Sequence, residues 1–165
     1  MKKNFTTLLL SSSIIFIGTT LCAYNVQASS LNITKNSAAY SLNTYKVSGS
    51  SQGEALVTYA EIFIGIPYVY GGASPSGFDC SGFVQYCYNH FGVKLPRTTY
   101  DQVNIGTTVT GNIMPRDLLF FGSVSLPDHV AIYVGNGCMI ESSKTGDVVH
   151  ITPIRAYCIA KRIFK

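Results

Sequence analysis

The sequence predicts an α+β fold, with N-terminal helices packed on a central antiparallel sheet. Two observations predict it. In the first half of the domain, apolar residues recur at helical spacing. In the second half, the pattern changes to short β-type runs separated by turn residues. Helices first and strands afterwards are segregated elements, which is the α+β arrangement.

The N-terminus is set aside before the fold is read. Lys2 and Lys3 form a positive start, residues 8–21 are apolar and hydroxyl-rich, and Val26-Gln27-Ala28 is a small-x-small type cleavage site. This pattern reads as a secretory signal peptide over residues 1–28, removed on maturation. The run is interrupted by Ser11, Ser12 and Ser13 and again by Gly18, Thr19 and Thr20. A membrane span needs about 20 apolar residues, so no stable membrane insertion is expected after cleavage. Leu21 is bulky where a lipid-modified Cys22 would call for a small residue. Residues 29–53 are rich in Ser, Asn and Thr and read as a linker or loosely attached arm. The compact domain is expected over 54–165.

Residues 54–64 carry Ala55, Leu56, Tyr59, Ala60, Ile62 and Phe63 at helical spacing, ended by Gly65 and Pro67. A short extended piece over 67–70 runs into Gly71-Gly72, and a loop with Pro75 and Gly77 follows. Residues 81–91 read as a second helix whose apolar face is Phe83, Val84, Cys87, Tyr88 and Phe91. Gly92 stands where a helix end favours a left-handed residue. The β-type runs are 118–121, 129–134, 138–142, 148–151 and 158–163. Apolar residues make up 47% of the chain and charged ones 12%, which supplies a core and excludes a disordered chain.

Three residues stand out chemically. Cys80 opens the second helix, so it meets the positive end of the helix dipole and unpaired backbone N–H groups, which favour thiolate. The same N–H groups can stabilise an oxyanion. By position alone, a nucleophile and an ordinary buried thiol are equal readings. Cys87 lies mid-face and reads as core; Cys138 and Cys158 read as buried strand thiols or a bridge. His129 begins a strand in which Ala131 and Tyr133 share its face. Alone it would read as structural. Its partner is Glu141: if Gly135-Asn136-Gly137 is a three-residue loop, Val134 pairs with Cys138 and Glu141 becomes the diagonal neighbour of His129. A two-residue loop would turn Glu141 to the other face. In the first case Glu141 can accept from one imidazole nitrogen and aim the other at the thiolate.

Four segments then carry a resemblance. Pro67-Tyr68-Val69-Tyr70-Gly71-Gly72, Phe78-Asp79-Cys80-Ser81-Gly82-Phe83-Val84, Leu95-Pro96-Arg97-Thr98-Thr99 and the segment from His129 to Gly137 resemble the NlpC-type cell-wall cysteine peptidases. The resemblance covers essentially the whole domain. It implies a papain-like fold and hydrolysis of peptidoglycan stem peptides, commonly between D-isoglutamate and the diamino acid. It implies Cys80 as nucleophile and His129 as its base. Glu141 takes the third catalytic position, where many members carry His. Tyr68 corresponds to a tyrosine beside the nucleophile, and Asp79 and Ser81 to substrate-holding positions, Asp79 facing a free stem-peptide amine. The plain alternatives are a core aromatic for Tyr68 and a helix cap for Asp79. Arg97 and Asp128 are weaker candidates; Arg97 reads first as a surface ion pair.

The expectation is therefore a secreted, wall-associated, monomeric cysteine endopeptidase acting on peptidoglycan stem peptides. Without Lys2 and Lys3 the mature chain has ten basic residues against eight acidic ones. That balance makes no case for nucleic acid and is compatible with an anionic wall. No cofactor is implied, and no Cys or His pair has metal-ligand spacing. An amidase or acyltransferase on the same scaffold is an alternative, since a Cys–His pair defines only acyl transfer. An inert wall-binding module is another, opposed by the intact Cys80 and His129.

Overall fold

The first helix, α1 (Gln52–Glu61), buries Leu56, Val57 and Ala60. The computed structural model describes residues 52–164; the expected signal segment and all but the end of the expected linker lie outside them. Phe63 is buried just past the helix, whereas Ile62, expected on the same face, is 69% exposed. The helix stops at Glu61, so Ile62 sits in a turn and no longer follows the helical period.

Where a loop was expected, β1 (Ala73–Ser74) and β2 (Gly77–Phe78) form a tiny antiparallel hairpin. It leads directly into α2 (Cys80–His90), which buries Phe83, Val84, Cys87 and Tyr88 as the apolar spacing predicts. A single turn, α3 (Thr99–Gln102), follows, capped by the Thr98 hydroxyl accepting from the Asp101 N–H. The strands are β3 (Thr107–Thr108), β4 (Leu118–Gly122), β5 (Pro127–Gly135), β6 (Cys138–Glu141), β7 (His150–Pro153) and β8 (Ile159–Arg162). They form one antiparallel sheet in the order β3-β8-β4-β5-β6-β7. The seventh strand lies two residues beyond its expected position, and Cys158 stands just outside β8 as a free thiol.

Both faces of the sheet are covered. Leu118, Phe120, Val130, Ile132 and Ile140 join Leu56, Phe83, Val84 and Tyr88 in one cluster. Leu119, Phe121, Ala131, Met139 and Ala160 form a second, packed by Val109, Ile113 and Ile154. This explains why β4 reads as an unbroken apolar run, since a strand buried on both faces has no polar alternation. Each large side chain so buried contributes about 1.5–3 kcal/mol.

The β5–β6 connection differs from the three-residue loop anticipated. Gly135 pairs with Cys138, so the turn is the two residues Asn136 and Gly137, both at positive φ (53° and 72°). Such a turn matches the twist of the strands it joins. A bulge at Val134 then shifts the register, and Tyr133 faces Met139 while Ile132 faces Ile140. The extra residue cancels the change in loop length. Glu141 therefore still lies diagonal to His129.

Candidate active site

Asp79 caps α2 from an extended conformation (φ −92°, ψ 178°), its Oδ1 accepting the Gly82 N–H at 2.7 Å. Its other oxygen accepts the Gly71 N–H at 3.0 Å. Arg97 closes the arrangement as a fork, Nη1 to Oδ1 at 2.9 Å and Nη2 to Oδ2 at 2.5 Å. The Ser81 hydroxyl donates to Asp79 and accepts from Arg97 at 2.9 Å. Arg97 is thus paired with a buried carboxylate next to Cys80, and not at a free surface. Gln102, fully buried, donates to the carbonyls of Ser81 and Pro96 and so ties the Arg97 loop to the first turn of α2.

The small residue at Gly82 has a steric reason. A Cβ there would lie 2.1 Å from the Gly72 carbonyl oxygen, a backbone atom with no room to give. Helix start and Gly71-Gly72 loop are in direct contact, and this contact sets where the Cys80 sulfur sits. Gly82→Ala is expected to destabilise the fold by about 3 kcal/mol, at the upper end for overpacking a close contact, and to lower activity in the folded fraction. A urea midpoint equal to that of the parent chain would show that the contact is not tight.

Cys80 is half-buried and is a free thiol, as is the fully buried Cys87, whose thiol is pushed up by burial. His129 enters at the start of β5, opposite Phe121, whose ring lies 5.5 Å from the imidazole. Its Nε2 is 2.6 Å from Glu141 Oε2. Cys80 lines the same cleft, close enough for its charge to act on the ring. With Nε2 committed to Glu141, Nδ1 is the nitrogen available to the sulfur.

Burial works against charge on both partners, and the contacts overcome it. For His129, burial lowers the pKa, but hydrogen bonds to Cys80 and Glu141 and the charges of both raise it to about 9. For Glu141, burial raises the pKa, but His129 and Arg155 hold it down at about 2. At neutral pH the pair is imidazolium and carboxylate.

A cleft of about 470 Å³ is lined by Tyr68, Cys80, His129 and Glu141, with Lys144, His150 and Arg155 among its other walls. Tyr68 shares the cleft with Cys80, and burial first, then the charges of Cys80 and Asp79, push its hydroxyl up. Asp128 also faces the cleft. Asp79 and Ser81 are not among its lining residues; they are 7% and 6% exposed and engaged with Arg97. The physical reason is the cap: a carboxylate that takes the Gly82 N–H must turn back over its own helix.

Arg155 was not foreseen from the sequence. It follows β7 and grips Glu141 with two hydrogen bonds of 2.9 Å. His150, paired with Glu141 across β6 and β7, brings its Nε2 to 3.9 Å from Oε1. The pairing of β7 with β6 would have pointed to His150 had the strand been placed two residues later; nothing in the sequence marks Arg155.

Comparison with known proteins places the chain in a family. The family model described as NlpC/P60 family matches residues 65–165. Gamma-DL-glutamyl hydrolase of Bacillus subtilis (strain 168) is 40% identical over 105 residues, 60% of this chain and 25% of that protein. Peptidoglycan endopeptidase RipA of Mycobacterium tuberculosis is 36% identical over 124 residues, 67% of this chain and 26% of that protein. The matched part thus spans about a quarter of either relative's length. Among solved structures, the NlpC/p60 domain of peptidoglycan hydrolase SagA is 38% identical with a TM-score of 0.65, covering 68% of this chain and 100% of that one.

Proposed function

The chain belongs to the NlpC/P60 family, and from that premise we propose that it is a peptidoglycan hydrolase, a cysteine endopeptidase that cuts stem peptides at the D-isoglutamyl–diamino acid bond. The observation that carries this reading is the relay Cys80–His129–Glu141 in one open cleft that Tyr68 also lines.

In this reading the Cys80 thiolate attacks the amide carbonyl and a tetrahedral oxyanion forms. The N–H groups of Cys80 and Ser81 precede the first intrahelical bond, from Phe83 N–H to the Asp79 carbonyl. They belong to the orphan donors of a helix start and supply positive potential where the oxyanion develops. His129 gives its Nδ1 proton to the departing amine, leaving an acyl thioester on Cys80. Water, deprotonated by the now neutral imidazole, attacks the thioester, releases the carboxylate product and restores the thiolate–imidazolium pair. Glu141 fixes the tautomer throughout by holding Nε2. Asp79, Ser81 and Arg97 position the start of α2.

Mass spectrometry of purified muropeptides after digestion tests the assignment. The expected products end in D-isoglutamate and begin with the free diamino acid. Release of intact stem peptides from the sugar would instead make the protein an amidase.

The protein is further proposed to work outside the membrane, after loss of residues 1–28. The pattern Lys2-Lys3, apolar run and Val26-Gln27-Ala28 supports this. Among the described residues, no helix is long and apolar enough to cross a membrane. N-terminal sequencing of protein from the wall fraction is expected to start near Ser29. A Met1 start in cytoplasm would overturn the proposal.

A further inference from the structure

Glu141 sits in a demanding place. It is 3% exposed, yet its carboxylate must stay charged and keep one oxygen directed at an imidazole. A glutamate has three side-chain torsions to order, and holding them costs conformational entropy. A single hydrogen bond from His129 leaves rotation about that bond free.

Arg155 removes this freedom. Its Nη1 donates to Oε1 and its Nη2 to Oε2, each at 2.9 Å, which is the fork-on-fork geometry that sets the carboxylate plane. Oε2 then carries both Arg155 Nη2 at 2.9 Å and His129 Nε2 at 2.6 Å. The guanidinium is itself held from below, 4.2 Å from the centroid of the Phe121 ring. Phe121 in turn lies against His129. Arg155 and His129 both bond the carboxylate, and Phe121 lies against both, although the Arg155 side chain itself stays 46% exposed.

Resting on the cysteine-peptidase reading above, we propose that Arg155 is the positioning residue of the relay: it holds the Glu141 carboxylate in the plane and orientation that His129 requires. The other groups facing Glu141 cannot substitute for it. His150 Nε2 is 3.9 Å from Oε1, too far for a hydrogen bond. Its Nδ1 donates to the Val148 carbonyl at 2.7 Å, which ties the ring to the backbone just before its own strand. Asp147, 3.6 Å from His150, adds only negative charge on that side. Lys144 and Asp128 line the same cleft. Arg155 supplies a permanent cation and two aligned donors at once.

The test uses the whole protein and needs no substrate for its main arm. The chain has three glutamates, Glu54, Glu61 and Glu141, so carboxyl-labelled glutamate gives a readily assigned carbon spectrum. In the parent protein the Glu141 carbon is expected to hold its ionised shift down to about pH 3, consistent with a pKa near 2. In Arg155→Gln, an opposite charge is lost from a buried carboxylate, and the Glu141 titration is expected to rise by about one pH unit or more. Arg155→Lys keeps the charge without the fork, so the titration stays low. On muropeptides, Arg155→Gln is expected to lower kcat on the order of ten- to a hundredfold, as for a misaligned group, with KM little changed. Arg155→Lys recovers part of that loss.

A Glu141 titration unchanged in a folded Arg155→Gln would overturn the proposal, as would unchanged kcat. A shifted titration in a protein whose parent does not cut muropeptides would support the positioning role and overturn the substrate reading alone.

Discussion

Replacing Cys80 by alanine is expected to abolish wall hydrolysis while leaving the fold in place. The side chain opens α2, where it lines the cleft and only partly packs against the core. Alanine is the best helix former, so the helix start loses nothing by the change. The Asp79 cap, the Arg97 fork and the Gly82–Gly72 contact do not involve the sulfur. A thermal melt within a few degrees of the parent is therefore expected. Without the thiolate no acyl-enzyme forms, and the remaining groups offer no other nucleophile of comparable strength. Turbidity loss of purified peptidoglycan reads the outcome. Full activity in a folded Cys80→Ala protein would sink the central assignment and shift attention to water activated by the imidazole–carboxylate pair.

The second large effect follows from the His129–Glu141 pair. His129→Ala removes the proton shuttle, and groups of this kind contribute about 10²–10⁴-fold. Glu141→Ala is expected to cost less, and Glu141→Gln least, because glutamine keeps an acceptor oxygen for Nε2. The pH profile separates these roles. In the parent, burial lowers the His129 pKa but its partners raise it to about 9. The imidazolium is thus present at neutral pH and lost as pH rises through about 9, which places the alkaline limb of activity there. Glu141→Gln deletes a negative charge while burial stays. The imidazolium then loses support, and the alkaline limb moves to lower pH. A limb that stays put in Glu141→Gln, or a neutral Glu141→Ala at both saturating and low substrate, would show that Glu141 does not control the imidazole.

The elements that were legible in the sequence share one property: they are long enough for a period to show. Helix α2 repeats its apolar face over three turns, and Phe83, Val84, Cys87 and Tyr88 are all buried. In β5 the run from His129 to Tyr133 alternates between faces, and Val130 and Ile132 face the helices as that alternation requires. The two-residue strands β1, β2 and β3 and the four-residue α3 show no period at all. They arise from tertiary contacts, such as Thr107 and Thr108 pairing with β8 more than fifty residues later. The diagonal relation of His129 and Glu141 rests, in the sequence, on a three-residue loop that the structure does not have; a two-residue turn plus a bulge gives the same spacing. The bulge could not be read, since no residue type marks Val134 as the extra one. Arg155 and the burial of Asp79 beneath Arg97 were illegible for a similar reason. Both are pairings across 14 and 18 residues whose geometry depends on where loops return.

The bulge at Val134 also bears on how the chain finds its fold. A two-residue turn closing two regular strands would offset every pair between β5 and β6 by one position. Glu141 would then point into the cluster of Leu118, Phe120 and Ile132, and Ile140 would take its place against Arg155. Burying an unpaired carboxylate among those side chains costs several kcal/mol. The mispaired hairpin is therefore a high-energy state, which the ion pair with Arg155 makes still less competitive. The carboxylate that bonds His129 thus also disfavours the slipped register.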